Sequence, residues 1–228
     1  SAFARTGASP GPMESHMVSA ATVGARLLGI HPKAGLMLAS GTVIHESGGG
    51  EAEELAVMIA ATVAYARALV HAGLTMEQAF ATIALGVSLD GEYFTGIAKL
   101  RAAKVLWARI TAACGVNVAP TVEVRTSHRM LTKKDPWTNL LRLTAAGFAG
   151  AVGVAYAWGR VAETDAIGLP TAFARRQSRN TQLVLMEEAN LGRVADTAGG
   201  SAYLETLTDQ IGRAACGGFQ AIEAEGGL

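Results

Sequence analysis

Residues 36–73 read LMLASGTVIHESGGGEAEELAVMIAATVAYARALVHAG, and this stretch decides the fold. Its first nine residues form an apolar run of strand length that leads into a glycine-rich turn. The remainder has the periodicity of a helix with one broad apolar face, and Gly73 is a typical helix stop. The pattern therefore predicts a βα unit, with a strand over residues 36–44 and a helix over residues 51–71.

The same alternation continues along the chain. Strands are predicted over residues 80–89, 121–126 and 147–156. Helices are predicted over residues 18–29, 92–114, 170–190 and 203–225, and one more begins with Asp135 as N-cap and Pro136 as first helical residue. Strands that alternate with long helices indicate an α/β fold with a parallel sheet.

Four βα units raise a packing problem, because a closed (β/α)8 barrel needs eight strands and typically about 250 residues. The chain has 228 residues and is predicted to hold half of such a barrel. The inner sheet face would then lack its covering strands, so self-association or a partner with the missing half is expected. The residues predicted on that face are Leu38, Ile83, Leu85, Val122, Val124, Val152 and Val154.

Composition excludes several classes of partner. Lysine plus arginine equals aspartate plus glutamate at 19 each, so no net positive field favours nucleic acid or an anionic membrane. The longest uncharged stretch, residues 143–158, is shorter than the ~20 residues of a spanning helix. Cys114 and Cys216 lack zinc or disulfide spacing, which suits a reducing cytoplasm. Residues 1–17 are predicted to be a flexible tail without the features of a signal peptide.

Several motifs resemble the methylmalonyl-CoA mutase family. Residues 97–109 read IAKLRAAKVLWAR, and residues 135–142 read DPWTNLLR after Thr126-Ser127. The most specific run begins with IGLP at residues 167–170, continues through RNTQ at 179–182 and ends with RVADTAGGS at 193–201. Together with FQAIEAEGG at residues 219–227, these motifs follow the order of the family over nearly everything after Leu38.

The resemblance implies a (β/α)8 barrel threaded by the pantetheine of an acyl-CoA, with residues 18–170 as half of the barrel. Residues 171–228 would be a barrel-closing helix and a C-terminal helical extension. The family interconverts methylmalonyl-CoA and succinyl-CoA by radical chemistry on adenosylcobalamin, and the protein supplies position and shielding. The cobalt-ligating signature Asp-x-His-x-x-Gly is absent from the sequence, so this chain is expected to bind no cofactor and to leave adenosylcobalamin to a partner.

The strand ends depart from the catalytic pattern of the family. Val43 and His45 stand where catalytic barrels have histidine and glutamine, and residues 123–127 read EVRTS where those barrels have His-Cys-Gln-Thr-Ser. At the last strand, residues 156–161 read YAWGRV in place of Gln-Ser-Leu-His-Thr-Asn. A retained scaffold with altered strand ends resembles the non-catalytic small subunit of heterodimeric mutases, which supports a homologous large subunit. Two alternatives stay open: a fragment of a catalytic chain, and a half-barrel interaction module without enzymatic role.

Four residues are candidates for chemistry because they follow predicted strands at the carboxyl end, where barrels build their sites. His45 and Glu46 follow the first strand and are either a site pair or a structural loop pair. Arg125 and Ser127 have donors suited to an acyl-CoA phosphate or carboxylate, or they belong to a solvated or interface loop. The triple glycine after Ser47 suits a phosphate poorly, because glutamates already occupy the following helix turn. No metal site is predicted.

Overall fold

The computed structural model describes residues 11–153, 157–159 and 164–228. The chain divides into two compact units. The first comprises the described residues of 1–86, 104–121 and 215–228, and the second comprises those of 87–103 and 122–214.

The first part of the chain forms a βα unit with additional helices. The elements are α1 (Met13–Ile30), β1 (Met37–Ser40), α2 (Thr42–Glu46), α3 (Glu51–His71) and α4 (Met76–Ala81). Helix α3 begins after Gly50, whose backbone N–H donates to Glu53 Oε2 at 2.8 Å. Three glutamates in its first turn complement the helix dipole. The helix ends before Gly73, which has a φ of +100°.

The rest of the chain follows the same alternation. The elements are β2 (Ile83–Leu89), α5 (Tyr93–Ala113), β3 (Thr121–Thr126), α6 (Pro136–Val152), β4 (Ala157–Gly159), α7 (Ala172–Leu183) and α8 (Ala202–Ala224). A π-helical turn, Val184–Glu188, and a 3-10 turn, Leu191–Arg193, lie between the last two helices. The predicted α/β class is confirmed.

The described strands form a sheet in the order β1-β2-β3-β4. Strand β1 pairs in parallel with the first half of β2, from Met37 opposite Ile83 to Ser40 opposite Gly86. In the second unit, β3 pairs in parallel with β4. Strands β1 and β2 are parallel neighbours, as are β3 and β4, so the connection within each of these two pairs is a crossover, and α3 and α6 lie in these connections.

The core of the first unit lies around α3 and the second half of α5. The ring of Trp107 meets that of Phe80 edge-on at 5.5 Å, and the Trp107 indole N–H donates to the Val118 carbonyl at 2.6 Å. Helix α3 is long and apolar enough to cross a membrane by length and composition alone. Its buried residues, including the carboxylate-bearing Glu54, indicate a core helix.

Two predicted strands have one end at a different residue in the structure. The strand predicted over residues 36–44 ends at Ser40, because α2 begins directly after Gly41. The strand predicted over residues 80–89 begins at Ile83, because α4 occupies residues up to Ala81. Thr75 and Gln78 cap that helix reciprocally, with hydrogen bonds of 3.2 Å and 3.0 Å.

Two further predictions are corrected. The strand predicted over residues 147–156 is wrong as far as Val152, which belongs to α6, and residues 154–156 lie outside the described part of the chain. The predicted tail is helical from Met13 onward. Of the residues predicted on an uncovered inner face, Leu38 is partly exposed, whereas the side chains of β2 and β3 are buried: Ile83, Leu85, Val122 and Val124.

The predicted cap of α6 forms as expected. One carboxylate oxygen of Asp135 accepts from the Trp137 N–H at 3.0 Å, and the other accepts from the Thr138 hydroxyl. The pKa of Asp135 is lowered from its ordinary 3.8, mainly by the hydrogen bond from the Thr138 hydroxyl. The backbone N–H groups of Trp137 and Thr138 and the charge of Arg142 lower it further.

This cap gives a pH-dependent prediction. A carboxylate whose pKa is lowered on folding stabilises the fold fully above its unfolded pKa, and the stabilisation is lost as the pH falls through the lowered folded pKa. Asp135→Asn keeps a capping oxygen but does not titrate there. We therefore expect wild type to be more stable than Asp135→Asn at neutral pH, with a difference that shrinks below about pH 4 in urea titrations. A difference that stays constant down to about pH 2 would contradict this account of the cap.

Candidate functional site

His45 lies in the last turn of α2 and is fully buried, with an exposed fraction of 0%. Its Nδ1 lies 3.5 Å from Glu54 Oε2 and 3.9 Å from Glu51 Oε2. Both glutamates belong to the first two turns of α3, and the side chain of Glu54 is also completely buried. The structure therefore pairs the predicted candidate His45 with a buried carboxylate of the following helix.

Two glycines allow α2 to lie this close to α3. A Cβ atom on Gly41 would lie 2.1 Å from the Glu54 carbonyl oxygen and 2.7 Å from its Cγ. A Cβ atom on Gly49 would lie 2.5 Å from Ile44 Cγ2. The Gly49 N–H instead donates to the Ile44 carbonyl at 2.9 Å, which closes α2. Only glycine fits either position without displacement of the neighbouring atoms.

The enclosure of His45 limits its chemistry. An imidazole beside a carboxylate can hold a proton, and such pairs serve as acid–base groups when they face a substrate. Here the imidazole and the Glu54 carboxylate are both shielded from solvent inside the first unit. Glu46, the other candidate at this strand end, is half-buried at the last position of α2. The arrangement is that of a buried structural pair of histidine and carboxylate.

Arg125 and Ser127 lie in the second unit and differ in environment. Arg125 is exposed on β3, and its Nε donates to Glu123 Oε1 at 3.0 Å on the same strand. Ser127 is buried directly after β3, where its N–H donates to the Leu89 carbonyl at 2.6 Å. Its hydroxyl oxygen accepts from the Arg129 N–H at 3.1 Å. Ser127 therefore shapes the turn, and Arg125 forms a surface ion pair.

The motifs noted in the sequence have structural roles within the second unit. Arg101, from the motif at residues 97–109, forms ion pairs with Asp196 and Glu205. Burial is the largest single influence on the pKa of Arg101 and lowers it, but the hydrogen bonds and charges of the two carboxylates together outweigh burial. The pKa of Arg101 is therefore raised. Asp196 belongs to the motif at residues 193–201, so two motifs far apart in the chain meet at one guanidinium.

Asn139 has a structural role within the motif at residues 135–142. Its side chain is buried, donates to the Thr132 carbonyl at 2.8 Å and accepts from the Thr132 N–H at 2.8 Å. The buried amide thereby fixes the loop that enters α6, next to the Asp135 cap. These residues of the motif at 135–142 therefore stabilise the fold.

Sequence reasoning missed Glu54 as the partner of His45. The sequence presents Glu54 as a dipole-complementing charge of the first helical turn, together with its neighbours. Its position relative to Met58, Ala61 and Thr62 is the available signal, because steps of four, seven and eight residues place it on the buried face of α3. A glutamate on such a face requires a polar partner.

Comparisons with known proteins agree with the motifs. The family described as Methylmalonyl-CoA mutase matches residues 2–228. The Methylmalonyl-CoA mutase small subunit of Streptomyces virginiae is 44% identical over 185 residues, which cover 80% of this chain and 30% of that protein. The small subunit of Propionibacterium freudenreichii is 40% identical over 207 residues, which cover 89% of this chain and 32% of that protein.

A third relative gives a contrast. The Methylmalonyl-CoA mutase of Escherichia coli is 32% identical over 201 residues, which cover 86% of this chain and 28% of that protein. The chain spans about a third of the length of the curated small subunits that it matches. Its resemblance to the small subunits exceeds its resemblance to the Escherichia coli chain, as the altered strand ends predict. The chain belongs to the methylmalonyl-CoA mutase family.

Proposed function

We propose that this chain is part of the supporting small subunit of an acyl-CoA mutase complex, an isomerase that interconverts methylmalonyl-CoA and succinyl-CoA. The observation that carries the proposal is the identity of 40–44% to proteins named as small subunits, against 32% to the Escherichia coli mutase. The partner would be a homologous large subunit, and the acyl-CoA would bind at the level of the complex. We place the complex in the cytoplasm, and the chain alone is expected to be inactive.

The fold proposed for the full protein is a (β/α)8 barrel. The sheet order β1-β2-β3-β4 supports this architecture, together with the parallel pairs β1–β2 and β3–β4 and the helix in the crossover of each pair. Strand β1 forms an edge of the described sheet, where a further strand of a longer chain could pair. Four more strands from the remaining two thirds of the protein, or from a partner, would close the barrel.

The chemistry of the family depends on adenosylcobalamin, which supplies the radical when it is bound. His45 is the histidine in this sequence with a glycine three positions later, as the cobalt-ligating signature requires, but Val43 occupies the aspartate position. The imidazole of His45 is buried, and its Nδ1 lies 3.5 Å from Glu54 Oε2. The residues do not fit a cobalt ligand, so we assign the cofactor to the large subunit or to the assembled complex.

A cobalamin titration tests this assignment. The chain, at micromolar concentration, is titrated with adenosylcobalamin and separately with hydroxocobalamin, and the absorbance is followed. We expect no saturable spectral change, because the axial ligand set is missing. A saturable change at micromolar cobalamin would refute the supporting role and favour a catalytic fragment.

A further inference from the structure

Three arginine side chains lie within five consecutive residues on the exposed side of α7. The helix buries Ala174 and Ser178, which are four positions apart and therefore share one side. Arg176 lies two positions from each, a rotation of about 200° that places it on the opposite side. Arg175 and Arg179 are four positions apart and are also exposed. We call Arg175, Arg176 and Arg179 the arginine cluster.

No carboxylate of the described residues balances the arginine cluster. Helix α7 itself contains neither aspartate nor glutamate. In the part of the chain that the structure describes, none of the three guanidinium groups forms an ion pair. Ion pairs hold four other arginines, namely Arg67, Arg101, Arg125 and Arg213. The cluster therefore concentrates positive charge at one place on the surface of the second unit.

Contacts within the unit hold two of these side chains in position. The guanidinium carbon of Arg176 lies 5.8 Å from the centroid of the Phe173 ring, and that ring lies 6.5 Å from the ring of Trp137. Arg175 Nη1 donates to the Pro170 carbonyl at 2.9 Å. A side chain that is already held loses less rotamer freedom when a ligand binds. The cluster is therefore partly preorganised for an anionic ligand.

The residues beside the cluster are apolar and exposed. Trp137 is 65% exposed and Phe173 is 44% exposed. Leu141 lies four positions after Trp137 on α6, on the same side of that helix, and is 73% exposed. A small anion would leave this apolar surface in water, whereas a protein partner would bury it. Tryptophan and arginine are also the residue types most enriched at the energetic centres of protein interfaces.

The charge of the cluster selects an acidic partner. The chain as a whole has 19 basic and 19 acidic side chains, so the positive charge of α7 is local and does not reflect a general affinity for polyanions. Guanidinium groups bind carboxylates with two parallel hydrogen bonds. Carboxylates three or four positions apart on a partner helix would match the spacing of Arg175, Arg176 and Arg179.

We propose that the arginine cluster, together with Phe173 and Trp137, docks an acidic segment of the large subunit. Its carboxylates pair with the guanidinium groups, and its apolar side chains cover the two rings. The inference rests on the proposed function, which supplies the large subunit as partner, and it names the surface that the supporting chain uses. Charge complementarity of this kind accelerates association and fixes the register of the two proteins.

Charge reversal tests the proposal. The double variant Arg176→Glu, Arg179→Glu places carboxylates opposite the acidic segment, while Arg175 keeps its hydrogen bond to the backbone. Isothermal titration calorimetry measures the Kd between each chain and a large mutase subunit. The double variant should bind about tenfold more weakly or worse, because like charges then face each other. Circular dichroism melts check that the variant is folded.

The matched control changes the net charge by the same amount elsewhere. Arg26 and Arg109 are exposed residues of the first unit, and the variant Arg26→Glu, Arg109→Glu should keep the Kd within about twofold of wild type. Salt gives a second readout. The affinity of wild type should fall as NaCl rises from about 50 to about 500 mM, and that of the double variant at the cluster should fall less. Trp137→Ala should weaken binding and leave the salt dependence unchanged, because it removes apolar contact and no charge.

The outcomes separate this inference from the proposed function. Equal Kd values for the cluster variant and the control variant would overturn the inference, leave the supporting role intact, and make the remaining two thirds of the small subunit the candidate occupant. A wild-type chain that does not bind the large subunit at micromolar concentration would contradict both the inference and the supporting role.

Discussion

His45→Ala is expected to lower the free energy of unfolding by about 3–5 kcal/mol, because removal of one partner of a buried pair leaves the other charge uncompensated. The imidazole lies 3.5 Å from the Glu54 carboxylate, and neither side chain is exposed. The substitution removes the imidazole beside the buried Glu54 side chain and also opens a cavity between α2 and α3. Urea unfolding followed by circular dichroism measures the change.

Two controls separate the buried pair from a generic loss of histidine. His71→Ala, at the exposed end of helix α3, should change the stability by less than about 0.5 kcal/mol. The double variant His45→Leu, Glu54→Leu should recover most of the loss, since apolar residues of similar volume often replace a buried ion pair at little cost. If His45→Ala and His71→Ala lower the free energy of unfolding equally, the His45–Glu54 pair does not stabilise the packing of α2 against α3.

Gly41→Ala is expected to destabilise the chain by about 3 kcal/mol, at the upper end for overpacking. The added methyl group would lie 2.1 Å from the carbonyl oxygen of Glu54, which belongs to the backbone of α3 and has no rotamer to change. The two helices would have to separate, and the His45–Glu54 pair would separate with them. The melting temperature reports this change.

Gly29→Ala is the matched control for the glycine substitution. A Cβ atom on Gly29 meets no other atom within 4 Å, and the residue lies inside α1. Alanine is favoured over glycine in a helix by about 1 kcal/mol, so this variant should be slightly more stable than wild type. Equal melting temperatures for the two variants would show that α2 and α3 are not in close contact at Gly41.

The elements that the sequence predicts correctly are those whose local and long-range signals agree. Helix α3 is predicted over residues 51–71 and is found at Glu51–His71, because its acidic first turn, apolar face and terminal Gly73 all indicate the same bounds. Strand β3 is predicted and found over residues 121–126, and the Asp135 cap is located to the residue. Where independent signals coincide, tertiary context has little to override.

Other predictions are wrong where nothing within an apolar run marks the boundary between a helix and a strand. Residues 80–89 read FATIALGVSL, and periodicity alone does not show that the strand starts only at Ile83. The capping box of Thr75 and Gln78 is the signal for the helix before it. Residues 147–152 resemble a strand because small apolar residues fit a buried strand and a buried helix equally well.

The candidate site is predictable only in part. The position of His45 after the first strand follows from the pattern, but its burial and its contact with Glu54 depend on the approach of two helices. That approach is set by Gly41 and Gly49, whose neighbours in space are not visible in the sequence. The different environments of Arg125 and Ser127 likewise depend on tertiary contacts, since alternation along β3 does not extend into the following turn.

The central claim is that this chain contributes scaffold and not chemistry to a mutase complex, and turnover of a reconstituted complex tests it most directly. The double variant His45→Leu, Glu54→Leu is assembled with a large mutase subunit and adenosylcobalamin, and conversion of methylmalonyl-CoA to succinyl-CoA is measured beside wild type. Acid–base groups contribute roughly 100-fold or more to a rate, whereas loss of a structural pair with its packing retained should leave turnover within about threefold. A loss of about 100-fold or more in a complex that still assembles would contradict the claim and make His45 a catalytic residue.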